Sequence, residues 1–491
     1  MDAARLILQN VELDGLGPAD VAVADGRVSA VSRRPGSGEL RPTVRDTVVD
    51  ARGGALVHGL ADHHMHLHAL AAAMRSVDCG PPSVRTAGAL AAAVAGAPAS
   101  ADGWVRGTNY HESVAGDLTH DRLDAMERTQ PVRVQHRGGA LWVVNSAGLR
   151  ALGLDPEDAR AAHYPPGVET DPATGLPNGR LWRLDDWLRS RVPGTGLPDL
   201  AEVGRRYASF GVTSLVDATP DLSEAATRHI ADSVRAGRLP QDVTLLGGPR
   251  DSGVWREFTE RTHYGAFKLL PPDHDPWPYD ELVARIRRAR GDAEYAYSVA
   301  VHCVTRESIV LTLAALAEVG PPRVGRDRIE HGAVVPPDLM PFLAARRIHV
   351  VTQPGFIAER GDAYASDVDP ADLPHLYPYA SLLRAGVAVA PSSDAPFGDP
   401  DPWHIMRAAR DRRTPAGRVL GPDERVGTRT AFDGFRSRGS RPSSLPGNPV
   451  EVGHRADLCL LHTGLDEALA APHHSLVRLT LCRGEVVHDA S

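Results

Sequence analysis

Along residues 5–31, RLILQNVELDGLGPADVAVADGRVSAV, apolar and polar positions alternate in short runs broken by Gly and Asp. Period two with such breaks predicts antiparallel strands. Residues 455–489, from RADLCLLHTG to LVRLTLCRGEVVHD, repeat the pattern. Two β segments at opposite ends of a chain can share one β-sandwich, expected here from residues 1–54 with 440–491. Between them, eight short apolar runs end in polar or small residues: 55–66, 212–217, 243–247, 266–270, 299–302, 328–331, 349–353 and 387–394. Most are followed by a helix-like stretch. Buried strands alternating with helices imply parallel βα units, and eight of them predict an α/β fold with a (β/α)8 TIM-like barrel over residues 55–439.

The gap between the first and second runs is too long for one βα connection, so residues of about 75–190 are expected to form an insertion after the first barrel strand. It contains a further strand at 131–136 and the loop TDPATGLPNGR at 170–180. Residues 436–453, rich in Ser, Pro and Gly, read as a connection into the final β segment. No internal repeat is evident.

Composition changes this picture in three ways. The 491-residue chain is 42% hydrophobic and 24% charged, ordinary for a globular protein, and its net charge of -8 comes with no basic block. That excludes nucleic acid and anionic membrane surfaces as expected partners and leaves a small molecule. Asp2, Arg5 and Glu12 interrupt the first residues, and the Ala-rich run 87–97 is short and ends at Pro98, so neither a leader nor a membrane span is expected and a cytoplasmic location follows. Cys79, Cys303, Cys459 and Cys482 form no CxxC pair, which argues against a disulfide framework or a thiolate metal site. Lys268 is the only lysine of the chain. Lysine differs from arginine most where an amine must lose its proton and react.

The chemistry concentrates at strand ends. His63-His64-Met65-His66-Leu67-His68 closes the first barrel run, and residues at i and i+2 on a strand share a face, so His64 and His66 can meet one metal. The fourth run carries Lys268, the fifth ends at His302, the sixth at His331 and the eighth at Asp394. In a parallel barrel these C-terminal ends converge on one mouth. Imidazole and carboxylate ligands without thiolate suit zinc, with iron, manganese, cobalt or nickel as alternatives, and such a site lowers the pKa of water to about 7. Asp394, in Ser392-Ser393-Asp394-Ala395-Pro396, is placed to touch the metal, take a proton from water and pass it to a leaving group.

The ordered motifs HGLADHHMH, FK, VH, EH and SSDAP resemble the amidohydrolase superfamily, in particular its YtcJ-like branch, which includes N-substituted formamide deformylase. Asn145-Ser146 in ALWVVNSAGL, DPATGLPNGR, GVTSLVDA, Gln353-Pro354 and GHRADLCLL extend the match over nearly the whole chain. The resemblance implies a barrel joined to a β-sandwich built from both termini, with a divalent metal (one ion or two) bound by His64, His66, His302, His331 and Asp394. It places Lys268 where many members carry an N6-carboxylated lysine bridging two metals; a buried ion-pair role in a one-metal site is the alternative. It also implies a possible homodimer.

Departures concern the substrate. After Lys268 the chain reads Leu269-Leu270-Pro271-Pro272-Asp273-His274 instead of an Asp-Gly turn, after His302 it reads Cys303-Val304-Thr305-Arg306, and Gly139-Ala140 stands where relatives often have Gly-His. Candidate substrate-binding residues are Tyr110, His111, Glu112, His136 and Arg137, if the insertion caps the mouth, together with Gln353. His58, His63, His68 and Cys303 read as structural. The expected function is hydrolysis of an amide or formamide-like C–N bond in a small molecule. A decarboxylase, deaminase or isomerase on the same site, or a non-catalytic binding barrel, are the alternatives.

Overall fold

The computed structural model describes residues 5–14, 16–100, 102–127, 129–154, 157, 164–192, 196–273, 276–291, 297–436 and 450–491. Most of the connection read at 436–453, and His274, lie outside them. The chain divides into two compact units, Met1–Leu67 with Leu200–Ser491, and His68–Asp199.

In the first unit both chain ends enter one eight-stranded sheet. Leu458–Leu461 runs antiparallel to Ala55–His58, with Cys459 opposite Val57, and so ties the C-terminal strands to the N-terminal ones. The alternating positions explain the union. Leu8, Val21, Leu56, Leu458, Leu479 and Leu481 turn into a single apolar cluster that neither end could bury alone.

Nine parallel strands follow, here β1 (Leu60–Met65), β2 (Val212–Asp217), β3 (Asp242–Leu245), β4 (Thr262–Tyr264), β5 (Phe267–Leu269), β6 (Val299–Cys303), β7 (Arg328–His331), β8 (His349–Thr352) and β9 (Val389–Pro391). They form two sheets, β4-β3-β2-β1 and β5-β6-β7-β8-β9. Hydrogen bonds join the two sheets at two places. Lys268 N–H donates to Leu246 O at 2.8 Å on one side; on the other, Asp394 N–H donates to His64 O and His66 N–H to Ala395 O, both at 2.8 Å. Every residue of β1, β3, β7 and β9 is buried, the polar Asp62, His64, Arg328 and Glu330 included.

One predicted run is broken by glycine. The run at 55–66 is two strands, because a Cβ at Gly59 would sit 2.3 Å from Thr213 Oγ1, and only glycine lets the chain pass from the terminal sheet into β1 there. The fourth run, 266–270, contains β5, and β4 precedes it across Gly265 and Ala266 as a further strand outside the predicted runs.

Helices pack between the strands. Ser223 caps Glu224–Arg235 by accepting from Ala226 N–H, and Ala226, Ile230 and Val234 form its buried stripe. Thr305 and Ser308 make a capping box at the start of Arg306–Val319, immediately after β6.

The second unit holds a six-stranded sheet that includes Val105–Tyr110, Val132–His136, Leu141–Val144 and Pro177–Trp182. Asn145 is its hub. Its side chain accepts from Val132 N–H (2.9 Å) and Gly148 N–H (2.8 Å) and donates to Glu127 O and Gln130 O (2.8 Å each), so the Asn-Ser motif is a helix cap that also fastens a strand. Among the described residues no helix is long and apolar enough to cross a membrane.

Candidate metal centre

β1 delivers His64 and His66 to the same side, with ring centroids 5.5 Å apart. Their Nε2 atoms lie 3.4 and 3.2 Å from Asp394 Oδ1. These three ligand atoms fall within 4.8 Å of one another. His331 Nδ1 stands 3.8 Å from the other oxygen of Asp394, and its ring is 4.9 Å from that of His64 and 4.6 Å from that of His302. Lys268 Nζ is 3.4 Å from His64 Nε2. The fold thus brings the six residues singled out at five strand ends into one cluster.

Two of them need unusual backbone. His331 and Asp394 have φ of 69° and 55°, in the left-handed region where side chains other than glycine's are strained. Such conformations persist where the surroundings impose them, most often at functional sites. Asp62 supplies part of the constraint at Asp394: it accepts from Tyr207 OH (2.8 Å), from Ser393 N–H (3.1 Å) and from the Ser393 hydroxyl.

Each histidine is held from behind. His64 Nδ1 donates to Glu330, whose carboxylate also accepts from Arg328 Nε at 2.7 Å. His66 Nδ1 meets Thr219 Oγ1 at 3.1 Å, and His331 Nδ1 donates to Gln353 Oε1 at 2.9 Å. His302 is turned the other way, with Nε2 donating to Asp273 Oδ1 at 2.9 Å and Nδ1 left to accept. Gln353 was expected to touch substrate, but it is fully buried and both ends of its amide are engaged, since Nε2 donates to Ser392 Oγ at 2.9 Å. It supports His331.

Burial, reinforced by Lys268, pushes His64 well below the usual histidine range, and burial with the neighbouring His302 brings His331 down to about 3. Burial also lowers the Lys268 amine against the pull of Glu330 and Asp394. At Asp394 burial opposes ionisation, yet His64, His66 and His331 outweigh it and hold the carboxyl below its ordinary range. Neutral imidazoles facing a carboxylate are the protonation states that bind a divalent cation. Asp394 Oδ1 is buried without a hydrogen-bond donor, which a cation between it and the two Nε2 atoms would remedy. The donor set therefore fits a metal of the zinc type.

The candidates in the second unit are arranged locally. Tyr110 is buried, its hydroxyl donating to Gly116 O. Glu112 accepts from His136 Nε2 at 3.1 Å and lies 3.7 Å from His111 Nε2. Arg137 is half-buried, with its N–H donating to Tyr110 O at 2.8 Å. A second acid and histidine group, His120, Asp121 and Asp124, serves the cap of the next helix, where Ser146 N–H donates to Asp124 and Ser146 Oγ meets His120 Nδ1. His63 turns away from the cluster to Gly434 O at 3.2 Å, and Cys303 lies in the core, its thiol pushed up to about 12 by burial. Glu330, Arg328, Asp62 and Thr219 were not singled out from the sequence. The only trace there is that two acids stand next to or near ligand histidines, in IEH and ADHH.

Residues 47–488 match the model of the amidohydrolase family. The chain belongs to that family. The enzyme class expected above, a metal-dependent hydrolase acting on carbon–nitrogen bonds other than peptide bonds in small molecules, agrees with that membership. This amidohydrolase is 26% identical over 498 residues to N-substituted formamide deformylase of Arthrobacter pascens, covering 90% of this chain and 89% of that one. It is 23% identical over 416 residues to YtcJ of Bacillus subtilis (strain 168), covering 74% and 75%. In fold it is similar to the crystal structure of an uncharacterized metal-dependent hydrolase from Pyrococcus furiosus, with a TM-score of 0.67 at 20% identity over 94% of this chain and 99% of the other.

Proposed function

We propose that this amidohydrolase cleaves an amide or formamide-like C–N bond of a small molecule, with a divalent metal, zinc, held by His64, His66, His302, His331 and Asp394. The observation that carries the reading is the convergence of His64 Nε2 and His66 Nε2 on a buried Asp394 oxygen that lacks a donor, each ring being held by its other nitrogen. The hydrogen bonds between the two parallel sheets support closure of their strands into a (β/α)8 barrel, and the shared apolar cluster supports a β-sandwich at the chain ends.

When bound, the ion acidifies water and polarises the substrate carbonyl. The protein's own part is proton transfer and placement. Asp394 accepts the proton of the attacking water and returns it to the departing nitrogen, which cannot leave as an anion. Its carboxyl is held below the ordinary range, so it is ionised and able to accept a proton. His302 joins through Nδ1, because Nε2 is committed to Asp273. Lys268, buried and shifted toward the neutral amine, is suited to add carbon dioxide at Nζ with loss of one proton, and the resulting carbamate would bridge two ions. The similarity to a formamide deformylase makes N-substituted formamides the first substrates to try.

The test is to incubate the zinc-loaded protein with N-alkyl and N-aryl formamides and amides and quantify products. Equal yields of carboxylate and amine support the proposal. Release of carbon dioxide or ammonia alone, or an isomeric product, would replace it with one of the other chemistries, and inert protein that holds no metal would point to a binding barrel.

A further inference from the structure

Resting on the metal-hydrolase reading, we propose that Arg328 and Glu330 form a positioning pair that makes His64 the anchor ligand of the centre. Arg328 and Glu330 alternate on β7, so both side chains project from the same face. Both are buried, Glu330 completely. Arg328 Nε donates to Glu330 Oε1 at 2.7 Å and Nη2 to Oε2 at 3.1 Å, while Nη2 also donates to His63 O at 2.8 Å. Glu330 Oε2 in turn accepts from His64 Nδ1. The pair therefore grips the His63-His64 segment twice, once by its backbone carbonyl and once by its ring.

A carboxylate can only accept here, so Nδ1 must carry the proton and Nε2 the lone pair. That Nε2 is the atom facing Asp394 Oδ1 and Lys268 Nζ, each at 3.4 Å. Of the other ligand histidines, His66 is backed by the Thr219 hydroxyl and His331 by the Gln353 amide, while the carboxylate behind His302, Asp273, is partly exposed and so screened by water, whereas Glu330 is fully buried. A carboxylate behind an imidazole raises its strength as a donor more than a neutral acceptor does, and such partners typically contribute 10- to 100-fold to metal affinity. Stability does not account for the pair. A buried ion pair recovers little of its desolvation cost, and apolar side chains of similar volume usually serve the fold as well or better.

The experiment measures zinc affinity of the full-length, metal-stripped protein by chelator competition, beside thermal unfolding of the same metal-free samples. Glu330→Gln is expected to weaken zinc binding about 10- to 100-fold, and 15N shifts of the His64 ring are expected to show loss of the single tautomer. A merely structural role would lower the unfolding temperature and leave the affinity of the folded protein unchanged. Should Glu330→Gln fail to fold, the double variant Arg328→Met with Glu330→Gln removes both charges together and is expected to show the same loss of affinity. Native-like affinity in either folded variant overturns the proposal. Failure of the native protein to bind zinc would instead overturn the functional reading, and this inference with it.

Discussion

Asp394 and His64 meet twice: their backbones are bonded, Asp394 N–H donating to His64 O at 2.8 Å, and their side chains face each other, Oδ1 standing 3.4 Å from Nε2. The first contact ties the end of β9 to the end of β1 whatever side chain stands at 394. Only the second depends on the carboxylate. Asp394→Asn is therefore expected to keep the fold, with an unchanged circular dichroism spectrum, and to lower kcat by about 10²- to 10⁴-fold, the usual worth of a positioned acid–base group. A variant with near-native kcat would show that another group moves the proton.

Lys268 gives a stoichiometric prediction. If its carbamate bridges two ions, elemental analysis should find two metals per native chain and one or none in Lys268→Ala, with intact mass under carbamate-preserving conditions showing the added carbon dioxide. Lys268→Arg should behave like the alanine variant, because guanidinium does not add carbon dioxide at neutral pH. One metal in native protein and variant alike would leave Lys268 as a buried structural amine.

Glu359, on the helix Gly355–Asp367, gives a pH dependence. Its carboxyl accepts from Asp399 N–H at 3.1 Å, and burial, with the nearby Asp399 and Asp394 charges, raises it to about 7 from 4.5. Because the folded state holds this proton more tightly than the unfolded one, the associated stability is complete below pH 4.5 and is lost as pH rises through 7. Relative to Glu359→Gln, the native protein should lose on the order of 1–3 kcal/mol between pH 5 and 8, read as a drop in Tm. Parallel Tm curves for the two proteins would contradict the shift.

Arg290 and Asp327 supply a stability control. Both are buried, paired at 3.1 and 2.8 Å, and Asp327 also accepts from Val299 N–H at 3.0 Å. Asp327→Ala strands the guanidinium in the interior and should cost about 3–5 kcal/mol by denaturant unfolding. Folded variant is expected to keep native metal content and kcat; a loss of metal would extend the centre's support to this pair.

The register of β7 shows where sequence reasoning stops. His302 stands opposite Glu330, and Cys303 opposite His331. Glu330 precedes a ligand by one residue and therefore points away from it, toward His64, a partner 266 positions distant. Locally it shows only as the acid of the EH motif, with no sign that its partner is His64. Gln353 was visible as a polar residue at a strand end, but whether it faces substrate or His331 depends on the neighbouring strand.

By itself the sequence determined the two β-rich ends, the parallel strands and the strand ends carrying His64, His66, Lys268, His302, His331 and Asp394. Those features are written in local periodicity, and parallel strands bring like ends together whatever the details of packing. Only the tertiary structure decided the break at Gly59, the extra strand β4 before Gly265, the reversed ring of His302 and the supports Glu330, Arg328, Asp62 and Thr219. The reason is physical: a buried polar side chain must find its partner, and its partner is set by strand register and close approach across the fold, which no stretch of neighbouring residues encodes.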